Sequence, residues 1–382
     1  MKATIDTNQL KDAIQKINGI RLTRLQLPVL TYAHAKFADG KLVLTASDLE
    51  KAIRVEVKSK SDEDCSMCLP RKTLSHFLYT RKDFQNKNDK VEFAQGSFKQ
   101  QVSIKRSNFG DATISVLPEK EFPPIPFADK LTWYTLDSKW FCRMLKIILP
   151  ACATEYSRPI LTGIVFKDGE IAAADGFRLH TLKDKKLFFG LGNKQTIINR
   201  EVIMLIIKLF SKEELIDIAF EYTGNNPDKE VRRIYIKSGN TTLVAECTLG
   251  NYPHYEQLIP KSFVCKAIFS APLLLQRLNM IDVQSTTSGI TRYIIHRTEP
   301  NNQDELLIQA HIDNDEGIYS LTMPIKILAD VGKIAVQHKY MIEALNPFSI
   351  CTVETTNPSS PVKITGDIKG LTMVIMPMFV QW

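Results

Sequence analysis

Cys152, Asp175, Arg178 and His180 are the residues of this chain whose types could form a nucleophile, a base and a charged partner, the set a cysteine hydrolase needs. A histidine works as a base only when a further group orients it, and no second carboxylate or histidine stands between Asp175 and Leu182. A packed, hydrogen-bonded loop is the stronger reading of these four. Cys65 and Cys68 have the spacing of half a zinc knuckle, yet no second pair follows to complete four ligands, so thiols without metal are expected. Gly190-Leu191-Gly192 opens like a nucleotide loop but lacks the third glycine and the strand-turn-helix setting, which leaves an ordinary turn. Chemistry that makes or breaks bonds is therefore not expected, and docking is.

The stretch from Ser157 to Leu182 would position such a docking edge. An apolar run from Ile160 to Phe166, the turn Lys167-Asp168-Gly169-Glu170 and a second run from Ile171 to Ala174 predict a hairpin. Asp175-Gly176-Phe177-Arg178-Leu179 then breaks the strand pattern and predicts a surface loop carrying an aromatic, a cation and a leucine. At the other end of the chain, Thr372 to Met376 has strand character. Pro377 would stop ladder pairing there and leave Met378, Phe379 and Val380 either to line an adaptable apolar groove or to fray.

These elements belong to a longer repeat. Ile5-Asp6-Thr7 precedes a helix with Leu10, Ala13, Ile14 and Ile17 on one face, capped by Thr7. Leu136-Asp137-Ser138 precedes Phe141, Met144, Leu145 and Ile148, and Ile268-Phe269-Ser270 precedes Leu273, Leu274, Arg277 and Leu278. Leu136 follows Ile5 by 131 positions and Ile268 follows Leu136 by 132; Pro28 and Pro159 are again 131 apart. A repeat of domain size with helices and alternating strands predicts three tandem α+β domains, at 1–127, 128–258 and 259–382. A second helix is expected in each copy, opening at Arg71-Lys72, at Arg200 and at His338-Lys339. Cations in an opening turn oppose the helix dipole, so their recurrence suggests that a polyanion such as a phosphate backbone faces them.

Composition fits that picture. The 382 residues are 44% apolar and 24% charged, with a formal net charge of +7 that favours an anionic partner. Seven cysteines scattered through the chain argue for reduced thiols, and the apolar runs are too short for a membrane span, so a cytoplasmic protein is expected.

Arg158-Pro159-Ile160-Leu161 with Gly163, then Ala174 to Leu179, and at the end Pro361 to Ile364 with Met373 to Met378, resemble the bacterial DNA polymerase III beta subunit family, the beta sliding clamps. The resemblance implies an α+β fold of three DNA-clamp domains, two subunits closing into a ring around duplex DNA, and no catalysis or cofactor. It implies a groove for short apolar peptides of the replicative polymerase, the clamp loader and repair polymerases. The matching positions are Arg158, Leu161, Ala174, Gly176, Phe177, Arg178, Leu179, Pro253, Leu258, Val374, Ile375, Met376, Pro377 and Met378, with Tyr340 at the border. It places Arg24 toward DNA, beside the helix-opening cations Arg71, Lys72, Arg200 and Lys339. Gln257 stands where the family commonly has a groove arginine, and Phe379 replaces a terminal basic residue. The alternative is a clamp-like interaction protein that does not encircle DNA, a decoy or inhibitor of another clamp.

Overall fold

The computed structural model describes the chain apart from residues 23–26, 80–88, 97, 99, 107–108, 126, 129, 156, 224–229, 300–301 and 314–315. Its helices recur in pairs: α1 (Thr7–Ile17) and α2 (Arg71–Leu78), α3 (Ser138–Ile148) and α4 (Arg200–Phe210), α5 (Ala271–Leu278) and α6 (His338–Leu345). Each helix follows directly on a strand. The buried face of α1 is Leu10, Ala13, Ile14 and Ile17, as the periodicity predicts, and burying each leucine or isoleucine stabilises by about 1.5–3 kcal/mol. The cap differs from expectation. Asp6 is the N-cap, accepting the Gln9 N–H at 2.9 Å, while Thr7 is already helical and buried. Asp137 does the same for α3 through the Trp140 N–H at 2.8 Å, and Ser270 for α5. A carboxylate at this place satisfies an orphan donor and meets the positive end of the helix dipole.

The chain divides into two compact units, residues 1–142 with 204–247, and residues 143–203 with 248–382. These do not follow the three copies, because the strands of the second copy are shared out. In the first unit, Thr241–Glu246 of the second copy pairs antiparallel with Lys51–Ser61 of the first, which makes one continuous sheet of the two. In the second unit, Arg178–Lys183 pairs with Leu371–Ile375, joining strands of the second and third copies in a nine-stranded sheet. A four-stranded sheet built around Ile290–Thr298 and Gln303–His311 completes that unit.

The central hairpin is shorter than its apolar run. Strands Gly163–Lys167 and Glu170–Ala174 are joined by Asp168 and Gly169, with Gly169 at φ +79°. Pro159–Thr162 is instead a 3-10 turn, as is the equivalent Pro28–Thr31: a proline fixes φ, and the Thr162 and Thr31 hydroxyls each donate to the carbonyl of the proline three residues back.

Candidate peptide-binding site

Strand Glu170–Ala174 passes into Arg178–Lys183 through a turn that Asp175 builds. Its Oδ1 accepts the N–H groups of Phe177 at 2.9 Å and Arg178 at 3.0 Å, while Gly176 takes φ +94°, a conformation that strains any residue with a Cβ. Phe177 is left 60% exposed at the tip. The Met376 N–H donates to the Phe177 carbonyl at 2.8 Å, so the C-terminal strand continues pairing up to the residue before Pro377.

Arg178 begins a strand and is buried, a correction to the expected surface loop. Nε donates to Asp175 Oδ2 at 3.0 Å, Nη1 to Glu343 of α6, and Nη2 to the Pro150 carbonyl, while the guanidinium lies 4.2 Å from the Tyr340 ring centre. A buried arginine is tolerable only when its charge and donors are matched in this way. The side chain thus ties the turn, the segment after α3 and helix α6 together.

Beside it lies a pocket of about 690 Å³. Of the residues expected in a groove, it gathers Arg158, Leu161, Gly176, Phe177, Arg178 and Tyr340. To these it adds Cys152, Glu155, Gln337 and Lys339, which carried no groove signal in the sequence; Lys339 is also one of the residues expected to face DNA.

The other expected groove residues are placed elsewhere. Ala174, Leu179 and Val374 are buried in an apolar cluster with Leu161, Ile197, Tyr252 and Tyr255, and Ile375 is equally buried. Tyr252 holds this cluster together. Its hydroxyl accepts the Ala174 N–H at 2.8 Å, and its ring meets Tyr255 edge-on at 5.9 Å. Strand residues alternate between faces, but here both faces of the sheet are covered, so the apolar half of the expected groove is core in this structure. Pro253 and Leu258 are exposed, and Met376, Pro377 and Met378 half-buried, outside the pocket wall.

Of the expected DNA-facing cations, Arg24 lies outside the described residues. Arg71 is a correction: it is buried and donates to the carbonyls of Ile17, Ile20, Leu30 and Thr31 at 2.8–3.3 Å. Arg200 likewise donates to the Leu149 carbonyl at 3.0 Å, just past α3, and in the third copy His338 is buried against the Thr291 hydroxyl. In the first two copies the cation therefore serves carbonyls at or just past the end of the preceding helix, where the dipole is negative; His338 in the third does not. Lys72 and Lys339 stay exposed.

Cys152 and His180 are unsuited to nucleophilic work. Burial pushes the Cys152 thiol up to about 12 and the His180 imidazole down to about 4, so neither thiolate nor imidazolium forms near neutrality. His180 Nδ1 is spent on the Ile147 carbonyl at 2.9 Å. Cys65 and Cys68 sit three apart on one strand, hence on opposite faces, and no group of three or more ligating side chains occurs among the described residues.

Residues 1–126 match the family model for the DNA polymerase III beta subunit, N-terminal domain. The beta sliding clamp of Chlamydia muridarum is 23% identical over 385 residues, with 99% of each chain covered. Among solved structures, a DNA polymerase sliding clamp from Bacillus subtilis superposes with a TM-score of 0.87 at 19% identity. The DNA polymerase III subunit beta of Pseudomonas aeruginosa bound to griselimycin gives 0.86 at 19% identity; both cover 100% of the two chains. The N-terminal match, the end-to-end alignment and the paired helices agree: the first 126 residues match the N-terminal domain of the DNA polymerase III beta subunit, and the whole chain is similar in sequence and fold to bacterial beta sliding clamps.

Proposed function

We propose that the chain is the subunit of a DNA sliding clamp, a processivity factor that acts by enclosing duplex DNA and makes or breaks no bond itself. The observation that carries this is the threefold recurrence of a strand-led helix pair along a chain that aligns end to end with beta sliding clamps. In this reading the copies are domains at 1–127, 128–258 and 259–382, and two subunits complete a ring in the cytoplasm. A net charge of +7 and exposed cations such as Lys72 keep the ring near phosphate without sequence preference, so it slides while topology prevents escape.

The pocket beside Phe177 would take short peptides of the replicative polymerase, with the clamp loader and repair polymerases as further users of the same site. Tethering raises the polymerase's effective concentration at the template. No observation favours the non-encircling decoy. The test is retention after loading on closed circular DNA against the same DNA linearised: loss on linearisation is expected, and equal retention on both forms would overturn enclosure.

A further inference from the structure

We infer that a row of lysines on the exposed face of the first copy's sheet, Lys41, Lys58, Lys60 and Lys90, is a binding site for a small ligand carrying linked phosphates. The site goes beyond the clamp reading and shares no residue with the peptide pocket. Register builds the row. Lys41 of strand Lys41–Ser47 stands directly opposite Lys58 of strand Lys51–Ser61. In the next strand, Lys2–Asp6, Thr4 stands opposite Lys60 and Ile5 opposite Ser59, while on its far side Asp6 stands opposite Lys90 of strand Lys90–Gln95. Alternation sends Val57 and Ser59 into the core and leaves Lys58 and Lys60 exposed, so the cations gather on one face of four adjacent strands. Neighbouring strands lie about 4.8 Å apart, which spreads the row over roughly 14 Å.

A concavity of about 500 Å³ lies along this row, walled by the four lysines, Thr4 and the Asp39-Gly40 turn. Two carboxylates, Asp6 and Asp39, share the wall and leave it net positive. Asp6 is committed to capping α1 through the Gln9 N–H, and Lys41 is matched by Glu56 at 2.8 Å. Lys58 and Lys60 are different: both are exposed, and among the described residues neither has a hydrogen bond or ion pair. Like charges directly opposite on a sheet destabilise it, and Lys41 facing Lys58 is such a pair, so the fold carries a repulsion that an anion would relieve. A lone phosphate would meet one or two of these cations. Linked phosphates set charge along several of them, each ammonium reaching in on a flexible stem whose methylenes give the concavity apolar walls.

Titration calorimetry of the full chain with inorganic triphosphate, ATP and orthophosphate, without divalent cations, tests this. Triphosphate should bind at least about tenfold tighter than orthophosphate, and the difference should shrink as salt rises. ATP equal to triphosphate would assign recognition to the phosphates alone, and tighter ATP would add the nucleoside against the lysine stems; both uphold the site. Lys58→Gln combined with Lys60→Gln should weaken triphosphate about tenfold or more and, with the repulsion gone, raise the melting temperature of the ligand-free chain. Lys212→Gln combined with Lys369→Gln removes the same charge from exposed lysines of the other two copies and should leave binding unchanged. Equal losses in the two double variants would mark a diffuse response to net charge and overturn the assignment, as would orthophosphate binding as tightly as triphosphate or a lower melting temperature without Lys58 and Lys60. Failure of triphosphate to saturate would overturn it too; if a duplex oligonucleotide then depends on Lys58 and Lys60, the row is a DNA contact instead.

Discussion

The guanidinium of Arg71, the first residue of α2, donates to the carbonyl of Ile17, the last residue of α1, at 3.3 Å. Arg200 at the head of α4 stands in the same relation to Leu149 beyond α3. In the first two copies a cation at the start of the second helix thus closes the end of the first, a role that needs no ligand, whereas His338 in the third bonds the Thr291 hydroxyl.

Arg71→Ala should accordingly destabilise the chain, because up to four carbonyls lose a charged donor in a buried place. A loss of about 2–4 kcal/mol is expected, read as a lower urea midpoint with an unchanged slope. Lys72→Ala, one residue on and exposed, should stay within about 0.5 kcal/mol of the parent and weaken DNA retention instead. A midpoint for Arg71→Ala equal to that of Lys72→Ala would contradict the carbonyl-capping role.

Acid should act through His180. Its folded value of about 4 lies below the ordinary 6.5 of the unfolded chain, so the unfolded state binds the extra proton and stability falls as pH drops from 6.5 toward 4. Between pH 7.5 and 5 the loss from this residue alone is about 2 kcal/mol. His338 is shifted the same way by burial and adds to it. His180→Asn, which keeps a donor for the Ile147 carbonyl, should flatten the dependence; a slope unchanged in that variant would mean that other groups carry it.

How much of this was legible beforehand depends on whether a residue's role is local. Helix faces such as Leu10, Ala13, Ile14 and Ile17, and the Asp168-Gly169 turn, follow from periodicity and turn chemistry, which act within a few residues. The strand pairing of Arg178–Lys183 with Leu371–Ile375 joins residues almost 200 positions apart, and nothing local marks it. It is that pairing which buries Leu179 and Val374. The resemblance pointed to the turn at Asp175 to Phe177, but the burial of Arg71 and Arg178 was decided by carbonyls and carboxylates, and that of Leu179 by apolar side chains, brought in from elsewhere in the fold.

Leu179 and Phe177 consequently separate stability from docking. Leu179→Asp places a charge in the cluster with Val374 and Tyr252, and should cost at least about 3 kcal/mol or prevent folding. Phe177→Ala, at an exposed tip, should leave the melting temperature nearly unchanged while weakening peptide binding about tenfold. Calorimetric melting beside peptide titration checks both; an Leu179→Asp protein with parental stability would show that the cluster opens in solution.

Tyr252→Phe examines whether that cluster is a fixed core or a closed door. Removing the hydroxyl leaves the Ala174 N–H without its acceptor and should cost about 1–2 kcal/mol, with the ring contact to Tyr255 retained. The Ala174 amide is the direct reporter: its hydrogen exchange should accelerate in the variant by more than the global change in stability requires. If the apolar half of the groove must open for a peptide to enter, the variant should also bind peptide more tightly, since less free energy holds Leu179 and Val374 under Tyr252. If peptide occupies only the Arg158–Phe177 side, affinity should stay constant while exchange speeds up. Slower exchange at Ala174 would contradict the hydrogen bond on which both outcomes depend.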